Sequence, residues 1–130
     1  MDKIIEKISD SELEIMQVLW KAKEALPLSA IRTALQSSIG WEATTIKTLL
    51  QRLVTKKAVT QEKREVFYYS AAVGEREYND WATQRLVKRL YHGRARELVA
   101  ALVHSDELTE SDFDELRELF RTGEGSNEIS

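Results

Sequence analysis

The sequence predicts a mainly α-helical protein with a small β-wing. A winged helix-turn-helix is expected over residues 1–72, a helical dimerisation arm over 73–123 and a disordered tail over 124–130. Three observations carry this expectation. Residues 43–56 hold the clearest amphipathic pattern in the chain, with Ile46, Leu49, Leu50, Leu53 and Val54 on one stripe. Two β-rich runs, Val59-Thr60-Gln61 and Val66-Phe67-Tyr68-Tyr69, flank the charged tip Glu62-Lys63-Arg64-Glu65 and read as a hairpin. Beyond Gly74 only helical periods remain.

Taken in order, the first helix opens at Ser9, with Glu12 at the spacing that closes a capping box. Leu13, Ile15, Met16, Val18, Leu19 and Trp20 leave only a narrow polar strip around Glu14, Gln17 and Lys21, so this helix should be covered on more than one side. Pro27 breaks the chain, and Leu28, Ile31 and Leu35 form the stripe of a second helix running to Ser37. Gly40-Trp41 marks the turn into the third helix.

In the arm, residues 75–91 carry Tyr78, Trp81, Leu86 and Leu90 around much of the helix, and Gly93 ends or kinks it. Residues 94–104 align Leu98, Val99, Leu102 and Val103. Thr109 and Asp112 cap a last helix bearing Phe113, Leu116, Leu119 and Phe120, which Gly123 stops. A segment this small rarely builds its own core, and its commonest cover is a second copy about a two-fold axis. Tyr78, Trp81, Leu86, Leu90, Leu98, Leu102, Phe113, Leu116 and Phe120 are therefore expected to form a homodimer face.

Composition narrows the function. A chain that is 42% apolar and 32% charged is ordinary for a soluble globular protein. No run approaches the length of a membrane span and the N-terminus lacks a signal-like stretch, which predicts a cytoplasmic protein without membrane insertion. The absence of cysteine excludes disulfides, thiolate metal sites and a Cys nucleophile. His92 and His104 lack the spacing of a metal pair, and no cofactor is called for. Five glycines form no P-loop, nucleophile elbow or dinucleotide fingerprint, so an enzyme is not expected.

The net charge of −3 argues against a simple nucleic-acid binder. Its distribution reverses that impression: residues 1–70 sum to +2 and residues 71–130 to −5. Within 41–70 there are six basic residues against three acidic ones. A local basic patch binds phosphate even on an acidic chain.

On the third helix Thr44, Thr45 and Thr48 are short enough to bring the backbone close to base edges, and Thr can hydrogen-bond bases or offer a methyl to thymine. Lys47 reaches a purine edge or a phosphate, while Arg52 suits the DNA backbone or a buried acid. Lys63 and Arg64 lie where a wing meets flanking phosphate or the minor groove. The basic run Arg85, Lys88, Arg89, Arg94 and Arg96 reads instead as a solvated helix face. The competing reading is a winged-helix protein-interaction module in which the third helix is scaffold and no specific DNA is bound.

The string Ile8-Ser9-Asp10-Ser11-Glu12-Leu13-Glu14-Ile15-Met16-Gln17-Val18-Leu19-Trp20 resembles the opening of the penicillinase-repressor family (BlaI, MecI and CopY type). Trp41-Glu42-Ala43-Thr44-Thr45-Ile46-Lys47-Thr48-Leu49-Leu50-Gln51-Arg52-Leu53 resembles its recognition-helix signature, and Tyr91-His92-Gly93 and Leu108-Thr109-Glu110-Ser111-Asp112 resemble landmarks of its arm. The resemblance implies a homodimeric repressor of resistance or copper-homeostasis genes on palindromic double-stranded operators. It places Thr44, Thr45, Lys47 and Thr48 toward the major groove and Lys63 and Arg64 in the wing.

It further implies release on an inducing signal; proteolysis, a small ligand in the arm and a partner protein are all compatible with these residues. In the β-lactam branch a membrane sensor system triggers a regulatory protease that cuts the arm, here at the matching Ala101–Leu102 bond, where familiar members carry Asn-Phe. The copper branch senses metal through cysteine pairs, which this chain lacks. Glu42 stands where the family commonly has a Ser N-cap, and Lys57 where it has Gly. The wing is shorter than in the family and lacks its glycine.

Overall fold

A computed structural model describes residues 2–122 of the chain. The expected stop at Gly123 and the tail 124–130 lie outside the described residues. The chain opens with a five-residue helix, α1 (Asp2–Glu6), which sequence periodicity does not announce. It delivers Ile5 to the core, and Ile8 joins it from the turn that follows.

The next helix, α2 (Asp10–Ala22), begins where the Ser9 spacing predicts. The Ser9 hydroxyl accepts from the Glu12 N–H at 3.2 Å, and the Glu12 carboxylate accepts from the Ser9 N–H at 2.9 Å. Two amides that a helix start leaves without partners are thereby satisfied. Lys23 ends the helix in the left-handed region, with φ of 59°.

Leu26–Pro27 forms a short strand, β1, where Pro27 in the sequence marks only a break. Helix α3 (Leu28–Leu35) follows, with Ile31 and Leu35 buried. Gly40 makes the following turn at a φ of 71°, a conformation glycine adopts at no steric cost. Helix α4 (Ala43–Thr55) then buries Ile46, Leu49, Leu50 and Leu53, as its periodicity predicts.

Strands β2 (Val59–Lys63) and β3 (Phe67–Ala71) form the hairpin. Lys63 closes β2, so the turn is Arg64-Glu65-Val66, later than the charged tip implied. The sheet order is β1-β3-β2, all antiparallel, with Leu26 and Gln61 flanking Tyr69. Pro27, which has no N–H to give a ladder, sits on an edge strand where that omission is tolerated.

One apolar core gathers α2, α3, α4 and the sheet around Ile15, Met16, Ile31, Ile46, Leu50 and Tyr69. The Trp20 indole N–H donates to the Val73 carbonyl at 2.8 Å, a buried bond tying α2 to the exit of the sheet.

Three further helices complete the described chain: α5 (Glu75–Tyr91), α6 (Ala95–Val103) and α7 (Glu110–Thr122). The reciprocal bonds between Thr109 and Asp112 start α7 as their spacing predicts. The chain divides into two compact units, Met1–Thr83 and Gln84–Ser130, so the first extends past residue 72 into α5. The reason is aromatic. Tyr78 and Trp81 pack against the core of the first unit, with Tyr78 at 5.7 Å from Trp20 and 5.8 Å from Trp81 between ring centroids.

Candidate nucleic-acid interface

The candidate surface begins with the two-sidedness of α4. Its apolar side is wholly committed to the core, so its polar side is fixed outward with no freedom to rotate. Thr44, Thr45, Lys47, Thr48 and Arg52 are all exposed, as is Gln51 among them. Thr48, Gln51, Arg52, Thr55 and Lys56 line a shallow groove along the later turns. The Thr48 hydroxyl donates to the Thr44 carbonyl at 3.0 Å. Its remaining capacity is therefore to accept, and its methyl is the apolar contact it has to offer.

The ends of α4 are held by unlike devices. At the start, Glu42 occupies the N-cap without making a cap bond. Its carboxylate instead accepts from the Arg32 guanidinium of α3 at 3.2 Å, clasping the two helices of the turn. The Arg32 Nε–H is buried without a partner. At the far end, Lys57 takes a left-handed φ of 69°. The Ala58 N–H reaches the Leu53 carbonyl and the Lys57 N–H the Val54 carbonyl, which completes a Schellman cap on a lysine.

Lys56 also reaches the buried acid that Arg52 was a candidate to meet. Its ammonium donates to Glu12 at 2.5 Å and to the Lys7 carbonyl at 2.7 Å, tying the end of α4 to the start of α2. Burial pushes the Glu12 carboxyl up, but Lys56 and the Ser9 donors outweigh that and hold it below the ordinary glutamate value. No sequence motif marks Arg32 or Lys56. Their partners lie ten and 44 residues away, beyond any local period.

The wing presents Lys63 and Arg64, both exposed. Lys63 lies over the Phe67 ring at 5.6 Å and Arg64 over the Tyr68 ring at 4.2 Å. Arg64 also pairs with Glu62 at 2.8 Å. Of the adjacent tyrosines, Tyr69 is the core residue, and burial raises its phenol. Tyr68 is half-buried.

The arm residues have a different setting. No residue of α5, α6 or α7 is buried among the described residues. Leu86, Leu90, Leu102 and Phe120 are exposed, and Leu98, Phe113 and Leu116 are half-buried. Tyr78 and Trp81 pack against the winged-helix core. Ala101 and Leu102 are exposed within the last turns of α6. No described helix is long and apolar enough to cross a membrane.

Comparison with known proteins places this arrangement. The chain is 30% identical over 118 residues to the penicillinase repressor of Bacillus licheniformis, covering 90% of this chain and 91% of that one. It is 28% identical over 120 residues to the methicillin resistance regulatory protein MecI of Staphylococcus aureus strain N315, covering 92% and 97%. Among solved structures it is similar to the DNA-binding domain of the repressor BlaI. That likeness has a TM-score of 0.50 and 36% identity over 55% of this chain and 88% of the other. The penicillinase repressor family model matches residues 8–122, and the chain belongs to that family of non-enzymatic transcriptional repressors built on a DNA-binding winged helix.

Proposed function

We propose that this chain is a cytoplasmic, homodimeric repressor that binds palindromic operator DNA and lets go on an inducing signal. The observation that carries the reading is the outward polar face of α4, held rigidly by an apolar face with no exposed alternative. In this reading α4 enters the major groove. Thr44, Thr45, Lys47 and Thr48 face base edges, Arg52 touches the backbone, and Lys63 and Arg64 meet flanking phosphate. The arm helices of two copies join through Leu86, Leu90, Leu98, Leu102, Phe113, Leu116 and Phe120, with Tyr78 and Trp81 fixing each arm's first turns to its own winged helix.

Selection of bound duplexes from a random pool tests the proposal. The expected product is a palindrome with half-site centres one helical turn, or a multiple, apart. Affinity for it should fall steeply with salt. Thr48→Ala should change base preference at one position of each half-site, by a factor of about ten for a contact of roughly 1–3 kcal/mol. Recovery of no motif would favour the interaction-module reading. Equal losses by Thr48→Ala on operator and random DNA would remove that residue from the base-reading set.

Release follows from breaking the dimer. The proposed route is a cut at Ala101–Leu102 by a regulatory protease under a membrane sensor. The bond lies within α6, so that turn must unwind before a protease can take it as extended chain.

A further inference from the structure

Successive strand residues point to opposite faces, so Glu62 and the turn residue Arg64 return to the same side of the wing. Tyr68 stands directly across from Glu62 in the β2–β3 register. The three side chains meet: the Arg64 Nε–H donates to Glu62 at 2.9 Å, a terminal nitrogen lies 2.8 Å from the same oxygen, and the guanidinium covers the Tyr68 ring at 4.2 Å. The carboxylate thus engages the guanidinium edge that would otherwise grip a phosphate, while the ring occupies one of its faces.

We infer that Glu62 and Tyr68 form a latch that holds Arg64 down on the wing, so that DNA must displace the Glu62 carboxylate to gain the Arg64 contact. The inference rests on the DNA-binding reading above and deepens it: Glu62 is a positioning residue that limits affinity. Lys63, on the opposite face over Phe67, has no such carboxylate across from it in the register. The wing's two cations are therefore unequal, Lys63 ready and Arg64 restrained.

The test is a double-mutant cycle on the full chain, read by fluorescence anisotropy with the selected duplex and with a random one. Glu62→Gln keeps the side-chain shape and removes the competing charge. It should tighten both complexes by roughly fivefold at low salt, the upper end expected for an exposed ion pair. In an Arg64→Gln background the same change should give less than about a twofold gain, the residue of simple charge removal. An unchanged affinity for Glu62→Gln, or an equal gain in both backgrounds, overturns the latch.

A second measurement separates this from failure of the DNA reading. In the free protein the Arg64 Nε–H should give a protected NMR resonance that Glu62→Ala and Tyr68→Leu abolish. Fast exchange of that proton in the unaltered protein overturns the latch even where DNA binds. A protected proton in a chain that binds no duplex upholds the latch and sinks the function.

Discussion

Lys57 shows how much a single backbone angle decides. Its positive φ completes the cap of α4, yet an L-residue there crowds its Cβ against the following carbonyl at a cost of about 1 kcal/mol. Lys57→Gly should therefore raise stability by up to about 1 kcal/mol, less whatever freedom glycine adds to the unfolded chain, as read by urea unfolding. Lys56, its neighbour, carries the opposite liability. Lys56→Met would leave Glu12 buried without its cation, with an expected loss of about 3 kcal/mol. The acid limb follows from the same pair. A carboxyl held below its unfolded value contributes stability that is whole above the ordinary value of 4.5 and is lost as pH falls through the lower folded one. Glu12→Gln should lower stability at neutral pH and flatten that acid slope.

At the level of elements, legibility tracked length and periodicity. Helix α4 could be read because five apolar residues repeat at helical spacing, and α2 and α7 because their caps are written within four residues of chain. Helix α1 could not: five residues are too few to show a period, and burial of Ile5 is what keeps them helical. Strand β1 exists only because Leu26 and Pro27 find β3, more than 40 residues on, so no local signal marks it. Within the site, the outward threonines were legible and the clasps at Arg32 and Lys56 were not, being long-range contacts of residues whose local pattern is unremarkable. Helix α6 carries its own prediction. Ala100→Gly, at an exposed position one residue before the proposed cut, weakens the helix by about 1 kcal/mol. Cleavage at Ala101–Leu102, followed by mass spectrometry, should then run roughly fivefold faster where opening of the helix limits it.

For the molecule as a whole, the two units differ in what they can do alone. The first owns a core; the second, among its described residues, buries no side chain at all. Leu90 and Phe120 are 61% and 74% exposed, the apolar surface that the proposed pairing would cover. Replacing both by Asp should give monomers in sedimentation velocity and weaken operator binding by more than about tenfold, since each half-site would then be bound separately. The thermal transition of the winged helix should stay in place. The proposed pairing is legible only as an unmet need for cover, because one chain's sequence does not specify which face of a copy would supply it.

The stacked rings at the start of α5 have a practical corollary. Two of the protein's three tryptophans, Trp20 and Trp81, are linked through Tyr78 at the joint where the winged helix passes into the arm. Any event that lifts the first turns of α5 from the core would part Trp20 from the Tyr78 ring and expose an indole that is 8% accessible at rest. Native emission from the unlabelled protein, shifting to longer wavelength, would therefore report loosening of those first turns in real time. Replacing Trp41 by Phe would leave a signal belonging to that ring cluster alone.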